Sequence, residues 1–171
     1  MLLGPLTRTN MNAINNKGSN ALHIASQNIG AACIPLLIDG GADVNAVNDE
    51  GFTALHAASQ CNGASCIPLL IDGGADVNVV NNDRFTALHV AFQFNSASCI
   101  PLLIDGGADV NVVNNDGFTA LHTASYCNSL ESVLSLTASG ADTAMVSGSG
   151  KTALDLAREK GHTAIVDLLT K

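Results

Sequence analysis

One short phrase recurs along this chain every 33 residues. The histidine that marks it stands at His23, His56, His89 and His122, and Asp155 takes the fifth place. Each of these five residues follows the dipeptide Ala-Leu, so a local motif carries the period. A fixed period of this length is typical of a solenoid, in which each supersecondary unit packs only on its neighbours. The sequence therefore predicts one continuous stack of similar units.

The period divides the 171 residues into repeats, and we assign all of them to a single domain, 1–171. We assign four repeats to 15–47, 48–80, 81–113 and 114–146, and a C-terminal capping repeat to 147–171. Residues 1–14 are assigned as a partial N-terminal cap, because Met11–Asn15 matches Val44–Asn48 one period later. Residues 1–10 do not match a full repeat, which leaves either a degenerate cap or a fragment of a longer array.

Each unit contains the signals of two helices. In the second repeat, Thr53 can cap a first helix, and Asn62 and Gly63 tolerate the conformation that ends one. A second apolar run over 66–71 ends at Gly73 and Gly74. The β-branched stretch 76–80 then predicts extended backbone leading to the next turn. We predict an all-α solenoid of helix-turn-helix units with projecting, hairpin-like loops.

Two features of the predicted second helices bear on the stability of the stack. Pro35, Pro68 and Pro101 fall in the second helices, and proline is tolerated only in the first turn of a helix. These helices should therefore begin late, near 65–66 and 98–99, with a serine as the cap. The fourth repeat carries polar residues where other units have Cys, Leu and Ile, which predicts the least stable layer; they are Ser132, Ser135 and Thr137.

The repeated phrase resembles the ankyrin repeat. The resemblance lies in Gly51–Ala58 (GFTALHAA) and Gly74–Asn78 (GADVN), with Ala54 where proline is commonest in that family. It covers nearly the whole chain. The resemblance implies an ankyrin-type solenoid that binds proteins. It also implies that the histidines are structural, bonding between adjacent loops, and that a partner contacts the loop tips and the exposed face of the first helices.

The charge pattern excludes one class of partner. The net charge is -8, and between Asp49 and Ser147 the single basic residue is Arg84. A negative field repels phosphate backbones, so we expect no nucleic-acid binding. The same field favours a basic protein partner or serves only solubility, and the sequence leaves both open.

The five cysteines favour a reducing compartment. Cys33, Cys66 and Cys99 lie one period apart and are predicted in the core, whereas Cys61 and Cys127 are predicted nearer the surface. Equivalent positions in neighbouring repeats should lie roughly 10 Å apart, too far for a disulfide. The sequence shows neither a secretory signal nor an apolar run long enough to span a membrane. We expect a cytoplasmic monomer.

The sequence gives no sign of an enzyme or a cofactor. The histidines occur one per repeat, so no two share a helix face as metal ligands would. The loop 72–75 ends a helix and lacks the Lys and Ser/Thr of a phosphate-binding loop. We predict no catalytic, metal or cofactor site.

The resemblance to ankyrin repeats places a candidate binding face by position. It combines acidic loop tips with exposed residues of the first helices, among which Phe94 and Tyr126 have the character of interface anchors. The residues predicted to contact a basic partner are Asp49, Glu50, Asp83, Gln93, Phe94, Asp116 and Tyr126. Phe92 adds bulk beside them where other repeats have Ser. The repeated Phe52, Phe85 and Phe118 either pack between loops or contact the partner.

Two alternatives stay open. The chain could be a spacer, or part of a longer array in a scaffold or pathogen effector protein whose activity lies elsewhere. Asn45, Asn78 and Asn111 end the Asp-Val-Asn phrase. The family resemblance implies either a structural role for these asparagines, bonding within the loop, or hydroxylation by a cytosolic oxygenase.

Overall fold

The computed structural model describes residues 10–27 and 30–171. Across these residues the chain forms ten α-helices and one short 3-10 helix, and no strand is assigned. The α-helices are α1 Ala21–Gln27, α2 Ile34–Asp39, α3 Ala54–Gln60, α4 Ile67–Asp72, α5 Ala87–Gln93, α6 Cys99–Asp105, α7 Ala120–Tyr126, α8 Leu130–Ala138, α9 Ala153–Lys160 and α10 Thr163–Leu169. The 3-10 helix, Ala31–Cys33, leads into α2.

The helices form two layers. The first helices α1, α3, α5, α7 and α9 pack side by side, and so do the second helices α2, α4, α6, α8 and α10. The core lies between the layers, where the leucine before each repeated histidine is fully buried: Leu22, Leu55, Leu88 and Leu121. The predicted all-α solenoid is confirmed. We call the interface between consecutive repeats a seam.

The first helices begin where the repeated threonine predicts. The Thr53 hydroxyl accepts a hydrogen bond from the His56 amide, and the His56 side chain accepts one from the Thr53 amide. This reciprocal capping box satisfies backbone donors that have no partner within a helix. Thr86 with His89 and Thr119 with His122 repeat it. Helix α3 ends before Asn62, which adopts a left-handed φ of 54° as expected.

The second helices start late, as the prolines require. Helix α4 begins at Ile67 and α6 at Cys99, which leaves Pro68 and Pro101 in the first turn. The predicted serine cap is confirmed in position at α6 only, where Ser98 is the N-cap residue, and neither helix has a side-chain cap hydrogen bond. The residue before α4 is Cys66, and the Ser98 hydroxyl donates instead to Asn62 Oδ1 of the preceding repeat at 2.6 Å.

The projecting loops consist of turns. The expected extended stretch 76–80 contains a turn at Val77 and Asn78, because the Asp76 carboxylate accepts a hydrogen bond from the Asn78 amide at 2.9 Å. At the tip, the Asn81 amide donates to the Phe85 carbonyl at 2.9 Å, which closes a tight, hairpin-like end. The loops therefore keep the predicted outline without β-strands in the described residues.

Candidate functional site

The repeated histidines join each repeat to the next loop. Nε2 of His56 bonds the carbonyl of Phe85 at 2.9 Å, and His89 bonds that of Phe118 at 3.1 Å. His23 and His122 make the same contact with the carbonyls of Phe52 and Lys151. The structural role implied by the resemblance is confirmed. Because one ring caps its own helix and holds the next tip, the tips keep fixed positions.

Burial of the four repeated histidine rings favours their neutral form. The Thr53 amide donates to Nδ1 of His56 at 3.1 Å, so Nε2 carries the proton that is donated to Phe85. Burial lowers the pKa of His56 to about 4, although the bond to Phe85 opposes this effect. Burial also lowers the pKa of His23, His89 and His122. These side chains serve the scaffold rather than acid-base chemistry.

The asparagines of the Asp-Val-Asn phrase form a second set of hydrogen bonds between neighbouring repeats. Asn45 Oδ1 accepts from the Asp76 amide at 2.7 Å, and its Nδ2 donates to the Gly74 carbonyl at 3.1 Å. Asn78 and Asn111 repeat the pair one and two repeats later. These bonds cross between loops, so the expectation of bonding within one loop is wrong. Both ends of each amide are engaged in the scaffold.

The acidic tips are exposed and aligned along one ridge. Asp49, Glu50, Asp83 and Asp116 all lie at the surface. Consecutive tips are tied together, because the Asn82 amide donates to the Glu50 carbonyl at 3.1 Å and the Gly148 amide to that of Asp116 at 2.7 Å. Within residues 10–27 and 30–171, the one ion pair joins Lys151 to Glu159 at 2.8 Å and includes none of these acids. The ridge therefore keeps its negative charge unpaired.

The acids also line open clefts. A cleft of about 550 Å³ lies between the first two tips and helices α1 and α3, and its wall includes Lys17, Asp49, Glu50 and Gln60. A second, of about 310 Å³, lies between Glu50 and Asp83. A third, of about 450 Å³, borders Asp116. A partner side chain that enters any of these clefts meets a carboxylate.

The aromatic candidates lie at the ends of the first helices. Phe94 and Tyr126 are each 47 % exposed, and Gln93 is exposed beside Phe94. Lys160 of the next repeat lies over the Tyr126 ring, 4.1 Å from its centroid. The structure thus reveals a cation–π contact at one predicted anchor that sequence reasoning missed. The sequence carried a signal for this contact, because Lys160 directly follows the position that lies one period after Tyr126.

The other phenylalanines belong to the scaffold. Phe52, Phe85 and Phe118 are half-buried, and each ring contacts the histidine of its own repeat, with centroids 5.2 to 5.7 Å apart. This contact favours the packing interpretation. Phe92 is only 8 % exposed and joins the core, so the expectation that it adds bulk to the binding face is wrong.

The cysteines divide by depth. Cys66 and Cys99 are buried as predicted, and burial raises the pKa of the Cys99 thiol to about 11. Cys61 and Cys127 are exposed as predicted. Cys33 is exposed, so its predicted place in the core is wrong. It occupies the first described repeat, and no described helix packs on its outer side.

Arg84, which stands out in the sequence for its charge, also has an unusual backbone conformation. Its φ is 62°, in the left-handed region that disfavours side chains. Every other unit has glycine at this place, with φ between 73° and 77°: Gly18, Gly51, Gly117 and Gly150. The sequence signal was the loss of a periodic glycine.

The described part of the chain holds no group of three or more His, Cys, Asp or Glu side chains placed to bind a metal ion. Nor does it hold a helix long and apolar enough to cross a membrane.

A family model described as ankyrin repeats matches residues 1–81 and 62–147, with three copies. The chain belongs to the ankyrin-repeat family. Ankyrin repeats are generally protein–protein interaction modules, and the family is generally non-enzymatic. A search of curated proteins gave no match.

Proposed function

We propose that this ankyrin-repeat chain is a monomeric, intracellular module that presents a rigid face to a basic protein partner. The five units act as one domain, 1–171, without catalysis or a cofactor. The observation that carries the proposal is the row of exposed, unpaired carboxylates, Asp49, Glu50, Asp83 and Asp116, held in register by the histidine bridges.

The ridge supplies charge and the first helices supply anchors. Unpaired acids attract a basic surface over a distance and set its orientation. Phe94 and Tyr126 expose enough ring surface to bury against the partner, with Gln93 as a polar contact beside them. Aromatic residues dominate binding energy in interfaces of this kind. Because neighbouring tips are bonded to each other, few loop conformations are lost on binding.

The test compares four immobilised proteins exposed to the same lysate. The wild type should retain a basic protein that both Phe94→Ala/Tyr126→Ala and the charge variant Asp49→Asn/Glu50→Gln/Asp83→Asn/Asp116→Asn lose. Leu36→Ala is the matched control, because Leu36 is a 70 % exposed apolar residue on a second helix, away from the proposed face. Retention by the control but not by the two site variants supports the proposal. Equal retention by all four contradicts the placement and favours a spacer or part of a longer array.

A further inference from the structure

Arg84 occupies a backbone conformation that its own side chain disfavours. Its φ of 62° falls where the four equivalent residues are glycine. A side chain in this region is disfavoured because its Cβ crowds the following carbonyl oxygen, and glycine, which has no Cβ, avoids the crowding. A residue held in such a conformation is a reason to look for a role that the fold does not explain.

The fold makes no visible use of the guanidinium. The Arg84 amide donates to the Asn81 carbonyl at 2.9 Å, but the Gly51 amide makes the same bond to Asn48 at 2.9 Å. Arg84 is exposed, and it takes part in no ion pair within the described residues. Glycine would therefore close this tip equally well.

Arg84 places a positive charge among the acidic residues of the ridge. It is the one basic residue between Asp49 and Ser147, and Asp83 precedes it directly. Glu50 lies one repeat before Asp83, and Asp116 lies one repeat after it. The exposed ridge thus has one positively charged side chain among negatively charged ones. A complementary partner surface has basic residues with one acidic residue among them.

We infer that Arg84 is a specificity-determining contact that pairs with a carboxylate on the partner, between basic residues of that partner. This inference rests on the proposed function. A guanidinium stays charged at all relevant pH values and can donate two parallel hydrogen bonds to one carboxylate. A partner that is basic throughout meets repulsion at Arg84, so the residue selects among basic partners.

The test selects peptides from a displayed library of random dodecapeptides on the full chain. Three targets are compared: wild type, Arg84→Gln, and the charge variant of the four ridge acids. Thermal melting of each target first establishes that it is folded. Peptides from the wild type should be rich in Lys and Arg with one recurrent Asp or Glu. Peptides from Arg84→Gln should keep the basic residues and lose the acid.

The selected peptide then gives the size of the effect. Replacing its acidic residue with the amide should weaken binding to wild type about tenfold or more, since a charge-assisted hydrogen bond is lost. The same replacement should leave binding to Arg84→Gln nearly unchanged. Arg84→Lys, which keeps the charge but not the paired donors, should give an intermediate loss.

The contrary outcomes are distinct. Basic peptides with no recurrent acid, or with the same acid in the wild-type and Arg84→Gln pools, overturn the inference but leave the proposed function in place. A wild-type pool without basic enrichment, or one unchanged by the charge variant, overturns the proposed function as well. Failure to select any peptide on wild type counts against both.

Discussion

Two neighbouring seams of this solenoid begin from repeats of nearly the same sequence and are packed differently. Segments 49–81 and 82–114 are identical at 26 of 33 positions. At the seam between repeats two and three, Ser59 is fully buried, and the Asn82 amide bonds the preceding tip at 3.1 Å. At the next seam Phe92 replaces that serine, and the equivalent bond from the Asn115 amide to Asp83 is 3.3 Å.

The second of these seams is also hollow on its outer side. Open clefts of about 410 and 180 Å³ adjoin there and share Ala97, Ile100 and Ser129 in their walls. Ser135 lines the smaller one, where the preceding repeat has Leu102. The histidine bridge persists across both seams, at 2.9 and 3.1 Å. The histidine hydrogen bonds between repeats are therefore insensitive to side-chain volume, whereas the apolar packing between repeats depends on it.

Acid should break both seams and produce the largest effect. The pKa of His56 is about 4 when folded and 6.5 as a free side chain, so the unfolded chain binds the proton more readily. Stability is then fully present above about pH 6.5 and is lost as pH falls toward 4. For His56 alone the loss approaches roughly 3 kcal/mol. Denaturant unfolding at several pH values measures it.

Histidine variants sharpen this prediction. His56→Gln should be less stable at pH 7.5 but should lose less stability between pH 6.5 and 4.5 than the wild type does. His89→Gln, at the looser seam, serves as the comparison and should flatten the profile less. A pH profile of His56→Gln parallel to that of the wild type would contradict the assignment.

Shortening Phe92 should open the hollow seam further. Phe92→Ala removes a buried ring beside an existing cleft, and we expect a loss of about 3 kcal/mol. Ser59→Ala is the matched change at the tighter seam. The Ser59 hydroxyl is buried without a partner, so its removal should be neutral or slightly stabilising. Equal losses in urea unfolding of the two variants would remove the distinction between the seams.

Exchanging residues at the two loop tips should act in opposite directions. A Cβ at Gly51 would lie 2.8 Å from the Asn82 backbone nitrogen, so Gly51→Ala should cost about 2 kcal/mol. Arg84→Gly relieves a left-handed side chain and should stabilise by about 1 kcal/mol. Thermal melting measures both. A lower melting temperature for Arg84→Gly would show that the fold does use the arginine.

Filling the outer hollow should give the smallest effect. Ser135→Leu restores the residue of the preceding repeat and should stabilise by roughly 0.5 to 1 kcal/mol through added apolar burial.

In the wild type, amides of α8 should exchange faster than those of α6, in keeping with the prediction that the fourth repeat is the least stable. Equal protection of α8 and α6 would refute that prediction.

Much of the candidate site follows from position in the period. The period of 33 places Asp49, Glu50, Asp83 and Asp116 at the tips, and all four are exposed there. It also places Gln93, Phe94 and Tyr126 at the ends of first helices, where the structure has them exposed. It did not separate Phe92 from Phe94, because neighbouring residues at a helix end can face the core or the solvent according to how the next repeat packs.

The sequence by itself determined the architecture, because a repeat needs only local signals and contacts with the next repeat. Thr53 and His56 specify the start of a helix within four residues, and Pro68 delays the start of the next one by its missing amide hydrogen. Only the tertiary structure decided what neighbouring repeats share. That Cys33 is exposed, that Lys160 covers the Tyr126 ring and that Asn45 bonds across loops all depend on which residues lie opposite. Such contacts join residues about one period apart, and no local pattern encodes their distance.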